Sequence, residues 1–205
     1  MPPTPSRRRR PPIRRGAGSL SIDGILTWLA ETPWSVGLLE SQYVWPFLES
    51  THVLTLALFM GTAIVNDLRL LGAGFTGVPV AQVTGRLLRI TRLAFAVMVS
   101  TGLLIFYSNP VHYYHNVFFR IKVILLVVAG INIWYFHGRI HRSVTDWEQH
   151  SPPPRSARIA GAVSLIAWAG IIVSGRLIAY NWFDCDKPPQ PAWVVWAAGC
   201  PAASE

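Results

Sequence analysis

Apolar positions dominate four windows of the chain, each close to the 20 or so residues that a helix needs to cross roughly 30 Å of hydrocarbon. The windows run over 45–65, 88–107, 118–137 and 159–180. None alternates apolar and polar residues with the period of two that marks a barrel strand, so all four predict helices. Aromatic residues crowd the window ends, at Tyr43, Trp45, Tyr107, Tyr113, Tyr114, Trp134, Tyr135, Tyr180 and Trp182. Side chains with an apolar body and a polar edge gather in this way at a membrane surface. Ahead of the first window, Ile22, Ile25, Leu26 and Leu29 recur at helical spacing until Pro33 interrupts them. A stretch of about eleven residues is too short to span, which predicts an amphipathic helix lying on the outer surface.

The pattern therefore predicts an all-α protein, an integral membrane four-helix bundle with an N-terminal interfacial amphipathic helix. Residues 1–19 are expected to form a disordered Arg/Pro-rich arm, 20–44 the interfacial helix and its linker, 45–180 the bundle, and 181–205 a periplasmic tail. Composition agrees. Of the 205 residues, 51% are hydrophobic and 14% charged, against about 25% charged in a soluble domain. The chain lacks the polar surface that coats a water-soluble globule.

Charge sets the expected orientation. The net charge is +8, from 18 basic and 10 acidic residues. The loop joining windows one and two carries Arg69, Arg86, Arg89 and Arg92, and the loop joining three and four carries Arg139, Arg142, Arg155 and Arg158. The opposite side holds Arg120, Lys122, Arg176 and Lys187. Positive residues near span ends favour the cytoplasm, which places both termini outside. The N-terminal run of Arg7 to Arg10, Arg14 and Arg15 lies about 30 residues before the first span, outside the zone where that rule acts. It reads either as an arm touching lipid phosphates or an acidic partner, or as the result of a start codon set too far upstream; no nucleic-acid partner is expected. Cys185 and Cys200 then face an oxidising compartment and suit a bridge across the tail.

Candidate chemistry is sparse. The run Gly72, Gly74 and Gly77 matches the spacing of a dinucleotide loop, but it follows a span and lacks the later acidic residue, so it reads as an inner loop. His52 alone among the histidines sits well inside a span, where an ionisable group is costly and marks a functional candidate. It lies about 10 Å below the outer boundary, and Lys122, opening the third window, about 6 Å below it. The two can share a layer. Glu49 falls on the same helical face as His52, and His112 and His115 lie just above in the short outer loop. Such a cluster suits a porphyrin iron held by axial imidazole, or a copper or zinc ion held by several imidazoles. His137 and His141 form an inner pair without the glutamate of a zinc protease. Asn66, Asp67 and Arg69 read as polar ties closing the inner end of the bundle. Gly61, Gly102, Gly130, Gly170 and Gly175 are expected to let helices approach closely.

The stretch WPFLESTHVLTLALFMGTAIVNDLRLLG, with the later TGLLIFYSNPVHYYHNVFFRIKVILLVVAGIN, resembles a bacterial four-helix membrane family of unknown function. The resemblance runs from about Ile22 to Tyr180 and rests on His52, the DLRLLG end from Asp67 to Gly72, Thr101-Gly102 and the FxxK of Phe119 to Lys122. More distantly the chain is similar to CopD-type copper-resistance proteins and to HemJ-type protoporphyrinogen oxidases. The latter likeness implies haem b, with His52 as an axial ligand and Lys122 facing the substrate or the second axial position. The chain departs from that pattern in its extra outer helix, in DLRLLG and in its cysteine-bearing tail.

These readings give a leading expectation of a haem b protein or redox-complex subunit passing electrons near the periplasmic face. His52, Lys122, Glu49, His115 and His112 are its cofactor-site candidates, with Glu49 orienting the His52 ring. Copper delivery, with His52, His112 and His115 as way-stations, is the alternative; His52 and His115 are the metal-ligand candidates. A non-catalytic anchor whose aromatic tail docks a periplasmic partner is the third reading. The lipid bilayer and a membrane or periplasmic redox partner are the expected associations.

Overall fold

The computed structural model describes residues 22–74, 80–136, 153–186 and 189–200. The arm, His137 and His141 lie outside the described residues. Among those described, the chain forms eight helices and no strand: α1 (Ile22–Ala30), α2 (Pro33–Leu39), α3 (Val44–Leu71), α4 (Val80–Ser108), α5 (Pro110–Tyr114), α6 (Val117–Tyr135), α7 (Arg155–Ile178) and α8 (Ala192–Ala198). Four of them, α3, α4 from Leu88, α6 and α7, are long and apolar enough to cross a membrane.

Local sequence sets the helix ends. Thr32 is extended, its Oγ1 accepts from the Ser35 N–H, and Pro33 takes the first helical position, where its missing N–H costs nothing. Pro33 therefore ends one helical pattern by starting another helix, so the region expected to be a plain linker contains α2. α3 stops at Gly72, whose φ of 73° suits a residue without Cβ, and the Gly72 and Ala73 N–H groups close on Arg69 and Leu68 carbonyls. Asn116 opens α6 by accepting from the Phe118 and Phe119 N–H groups through Oδ1.

In the bundle α3 packs on α4 and α7, and α6 packs on α7. The centre is filled by Phe59, Met60, Ala94, Met98, Ala129, Ala167, Trp168 and Ile171. Phe59 meets Trp168 edge-on with ring centroids 4.7 Å apart. Outward-facing positions are as apolar as the core: Leu54, Leu93, Ile124 and Ile166 are all exposed. In water such a surface would drive aggregation. Around a bundle whose interior carries alanines and glycines it is a lipid-facing surface, and the chain is a multi-pass membrane protein.

Small residues do set the helix spacing, though at partly different positions from those expected. A Cβ on Gly161 of α7 would stand 2.9 Å from the Asp67 carbonyl oxygen and 3.2 Å from Leu70 Cβ of α3. Gly102, Gly170 and Gly175 also face close neighbours. Gly61 and Gly130 have nothing within 4 Å of such a Cβ, so they mediate no close approach. They sit on the outer faces of their helices, which spacing along the sequence alone does not reveal.

The end of the bundle that carries α1, α2 and the tail is capped by short elements. α1 rests on α5, and α2 on the end of α4. Ser35, fully buried, places its Oγ 2.9 Å from the Tyr107 carbonyl and 3.1 Å from that of Ser108, donating to this pair of main-chain acceptors. The described part of the tail is folded. α8 buries Val194 and Ala198 against Val117, Asn116 and Asp184 form an antiparallel bridge, and Cys185 is joined to Cys200 by a disulfide.

Candidate functional site

His52 lies on the α3 face that meets α4. Its Nδ1 is 3.0 Å from the Met98 carbonyl oxygen and 3.0 Å from Thr101 Oγ1. A carbonyl can only accept, so Nδ1 carries a proton and donates to it. In the neutral ring this leaves the lone pair on Nε2, which has no partner among the described residues. Gly102 gives the ring its seat: a Cβ there would be 3.1 Å from His52 Cε1. Thr101 Oγ1 in turn donates within its own helix, to Val97 at 2.8 Å or Met98 at 3.0 Å. The Thr101-Gly102 pair thus supplies one polar contact and one gap to the same imidazole.

Lys122 comes from the first turns of α6. Its Nζ lies over α7 at Gly175, where a Cβ would be 3.5 Å away. Among the described residues it makes no hydrogen bond or ion pair, yet it is near enough to act electrostatically on His52. The structure therefore brings these two residues of different helices into one neighbourhood. Glu49 is exposed and does not hold the ring; the Met98 carbonyl occupies the orienting position assigned to it from sequence. Instead, the Glu49 carboxylate acts on Tyr113 of α5. Burial first and this negative charge second push the Tyr113 hydroxyl up to about 12.

The two loop histidines take other partners. His115 is buried, with Nδ1 3.2 Å from the Ala198 carbonyl and Nε2 3.2 Å from Asp23 Oδ1 of α1. Both ring nitrogens are engaged by acceptors, so the residue ties α1, the α5–α6 turn and α8 together. His112 pairs through Nδ1 with Asp186 Oδ2 at 2.9 Å. Neither is brought to His52 by a contact among the described residues.

Toward the opposite end of the bundle, a cavity of about 350 Å³ opens between all four spans. Phe59, Phe95, Phe136 and Trp168 form its apolar walls, and Asn66, Asp67, Thr91, Arg92, Asn132 and Ser164 its polar lining. It reaches neither His52 nor Lys122. Asp67 is buried and hydrogen-bonds to the Ser164 side chain of α7, but its Oδ2 has no hydrogen-bond partner among the described residues. Asn132 Nδ2 donates to the Ala160 carbonyl at 2.9 Å, joining α6 to α7. Polar ties across helices were expected at this end, but the cavity was not. The available signal was depth: Asn66, Thr91, Asn132 and Ser164 are polar residues near the inner ends of four different apolar windows.

A family model described as a family of unknown function, DUF6644, matches residues 34–181. That is well over half of the chain, and the chain belongs to this family. No curated protein and no solved structure matches it.

Proposed function

We propose that this member of the family is a membrane redox subunit holding haem b in its outer half, with His52 as an axial ligand. The observation that carries the reading is the His52 ring itself: Nδ1 is tied to the Met98 carbonyl and Nε2 is left without a partner among the described residues. An imidazole whose far N–H meets a carbonyl is fixed in orientation and made a stronger donor at its other nitrogen, as metal-binding histidines are. The residues present fit that role. Gly102 admits the ring where any larger side chain would press on it. The unpaired Lys122 ammonium in the same neighbourhood suits a propionate carboxylate. When bound, the group would supply one-electron transfer. Two observations support a periplasmic position for this end of the bundle: the disulfide on the same side as α5 and α8, and the arginines Arg69, Arg89, Arg92, Arg155 and Arg158 toward the other.

The test is the absorption spectrum of the full chain, expressed with haem available and purified in detergent. A Soret band that shifts on reduction is expected, lost in His52→Ala and kept in His115→Ala. A wild-type protein that takes up no haem, or a His52→Ala variant with an undiminished band, overturns the reading. A copper relay through His52, His112 and His115 finds less support, because both His115 nitrogens are occupied and Met60 and Met98 are packed in the core. The anchor reading draws on the exposed Trp193 and Trp196 of the tail.

The inner cavity favours a second reading, a binding pocket for a small polar solute or cation. Its support is the buried, unpartnered Asp67 Oδ2 in an apolar-walled space open enough for a ligand. Asp67→Asn would abolish uptake of such a solute into vesicles and leave haem content unchanged. Uptake equal to wild type in that variant removes this reading.

A further inference from the structure

Outside the His52 neighbourhood, one cluster of metal-ligating side chains is assembled by parts of the chain far apart in sequence. α5 presents His112, and the segment after α7 presents Asp184 and Asp186. One donor atom from each lies within 4.8 Å of the other two. The scaffold beneath them is fixed: Asn116 and Asp184 bridge the two segments through the main chain, and Cys185, between the two aspartates, is bonded to Cys200.

Surface carboxylates near a histidine are ordinary, and the His112–Asp186 contact at 2.9 Å would suffice as an ion pair. Asp184 is not ordinary. It is 1% exposed, its Oδ1 accepts from the Asp186 N–H at 3.1 Å, and its Oδ2 is buried without a hydrogen-bond partner among the described residues. A buried carboxylate oxygen left unpaired costs free energy unless a cation or donor completes it. Here the rest of a cation's donors stand beside it.

We propose that His112, Asp184 and Asp186 form a binding site for a first-row divalent ion of the Zn²⁺ type. One nitrogen and two carboxylate oxygens make a mixed donor set that suits such an ion, with a fourth position left for water. Ca²⁺, which takes six to eight oxygens, is poorly served by it. Donors about 2.1 Å from a tetrahedral ion stand about 3.4 Å apart, so the His112–Asp186 contact of 2.9 Å opens slightly around the ion while all three donors already lie within 4.8 Å of one another. The exposed Asp186 carboxylate, 63% accessible, is free to make that movement. Bound there, the ion would join α5 to the tail beside the disulfide. The site is independent of the haem reading.

The experiment uses the full chain in detergent micelles, without a histidine tag, stripped with a chelator and dialysed against Zn²⁺. One Zn²⁺ per chain is expected, with a rise in melting temperature. His112→Ala and Asp186→Ala should each weaken binding by about tenfold or more and abolish that rise. Asp186 is exposed, so its variant tests the site without disturbing the core; Asp184→Asn serves as a further variant where it folds. Three results overturn the proposal: no stoichiometric Zn²⁺ in wild type, undiminished binding in the Asp186→Ala and His112→Ala proteins, or loss of Zn²⁺ in His52→Ala alone. The Soret band of the Asp186→Ala protein, unchanged in either case, reports the haem reading separately.

Discussion

The Nδ1–H of His52 donates to the main-chain oxygen of Met98 across the contact between α3 and α4, at 3.0 Å. Main-chain oxygens do not titrate and cannot be exchanged by mutation, so the ring orientation is set by the backbone of the neighbouring helix. Removing the Thr101 hydroxyl should therefore leave the ring in place. Filling the space at Gly102 should not, since even a single carbon there sits 3.1 Å from Cε1. Thr101→Val is expected to retain most of the haem absorbance and Gly102→Val to lose it, read from Soret amplitude per chain at matched expression.

The crossing of α3 and α7 sets a second comparison. Gly161→Ala puts a carbon 2.9 Å from the Asp67 carbonyl oxygen, part of a helix backbone that cannot swing aside. Overpacking of this kind costs about 1–3 kcal/mol. Gly130→Ala meets open space and gains up to about 1 kcal/mol of helix propensity. Thermal unfolding in detergent should move in opposite directions for the two variants.

Closing the tail through Cys185 and Cys200, 15 residues apart, is worth roughly 3 kcal/mol in the loop-entropy picture. Reduction is expected to lower the melting temperature and to open α8 to protease while the four spans stay protected. Peptide mapping after brief digestion, with and without reductant, checks this. Cleavage spread equally over the spans would contradict it.

Tyr113 gives a dependence on alkaline pH. An unfolded tyrosine ionises near 10, whereas burial and Glu49 hold this one up to about 12. The folded state therefore keeps its proton longer than the unfolded chain does. Its contribution to stability is complete below pH 10 and is lost as the pH climbs from 10 toward 12. Absorbance at the tyrosinate band should show one late step, absent in Tyr113→Phe. In Glu49→Gln the step should come at lower pH.

The four spans were legible because hydrocarbon imposes a length and a composition that few other environments share. Their inner ends were not. α3 continues to Leu71, and α4 begins at Val80, well before its apolar window, since helix persists past the hydrocarbon where polar residues obscure the pattern. Equal depth anticipated that His52 and Lys122 share a neighbourhood, yet Glu49 shows the limit of facing arguments. It shares a helical face with His52 and still turns to solvent, because the Met98 carbonyl on another helix takes the ring nitrogen first. His115 was indistinguishable from His112 in the sequence HYYH. What separates them is the tail folding back, a contact between distant parts of the chain that leaves no local trace. The inner cavity was hidden for the same reason: no single helix contains it.

The grip of His115 on Asp23 at one side and on the Ala198 carbonyl at the other couples the first helix to the last outside the bilayer-spanning rods. Trp28, 67% exposed on that first helix, is a side chain of the kind that gathers at membrane surfaces. One imidazole thus fastens the first helix to the last, at the end of the bundle that also carries the disulfide.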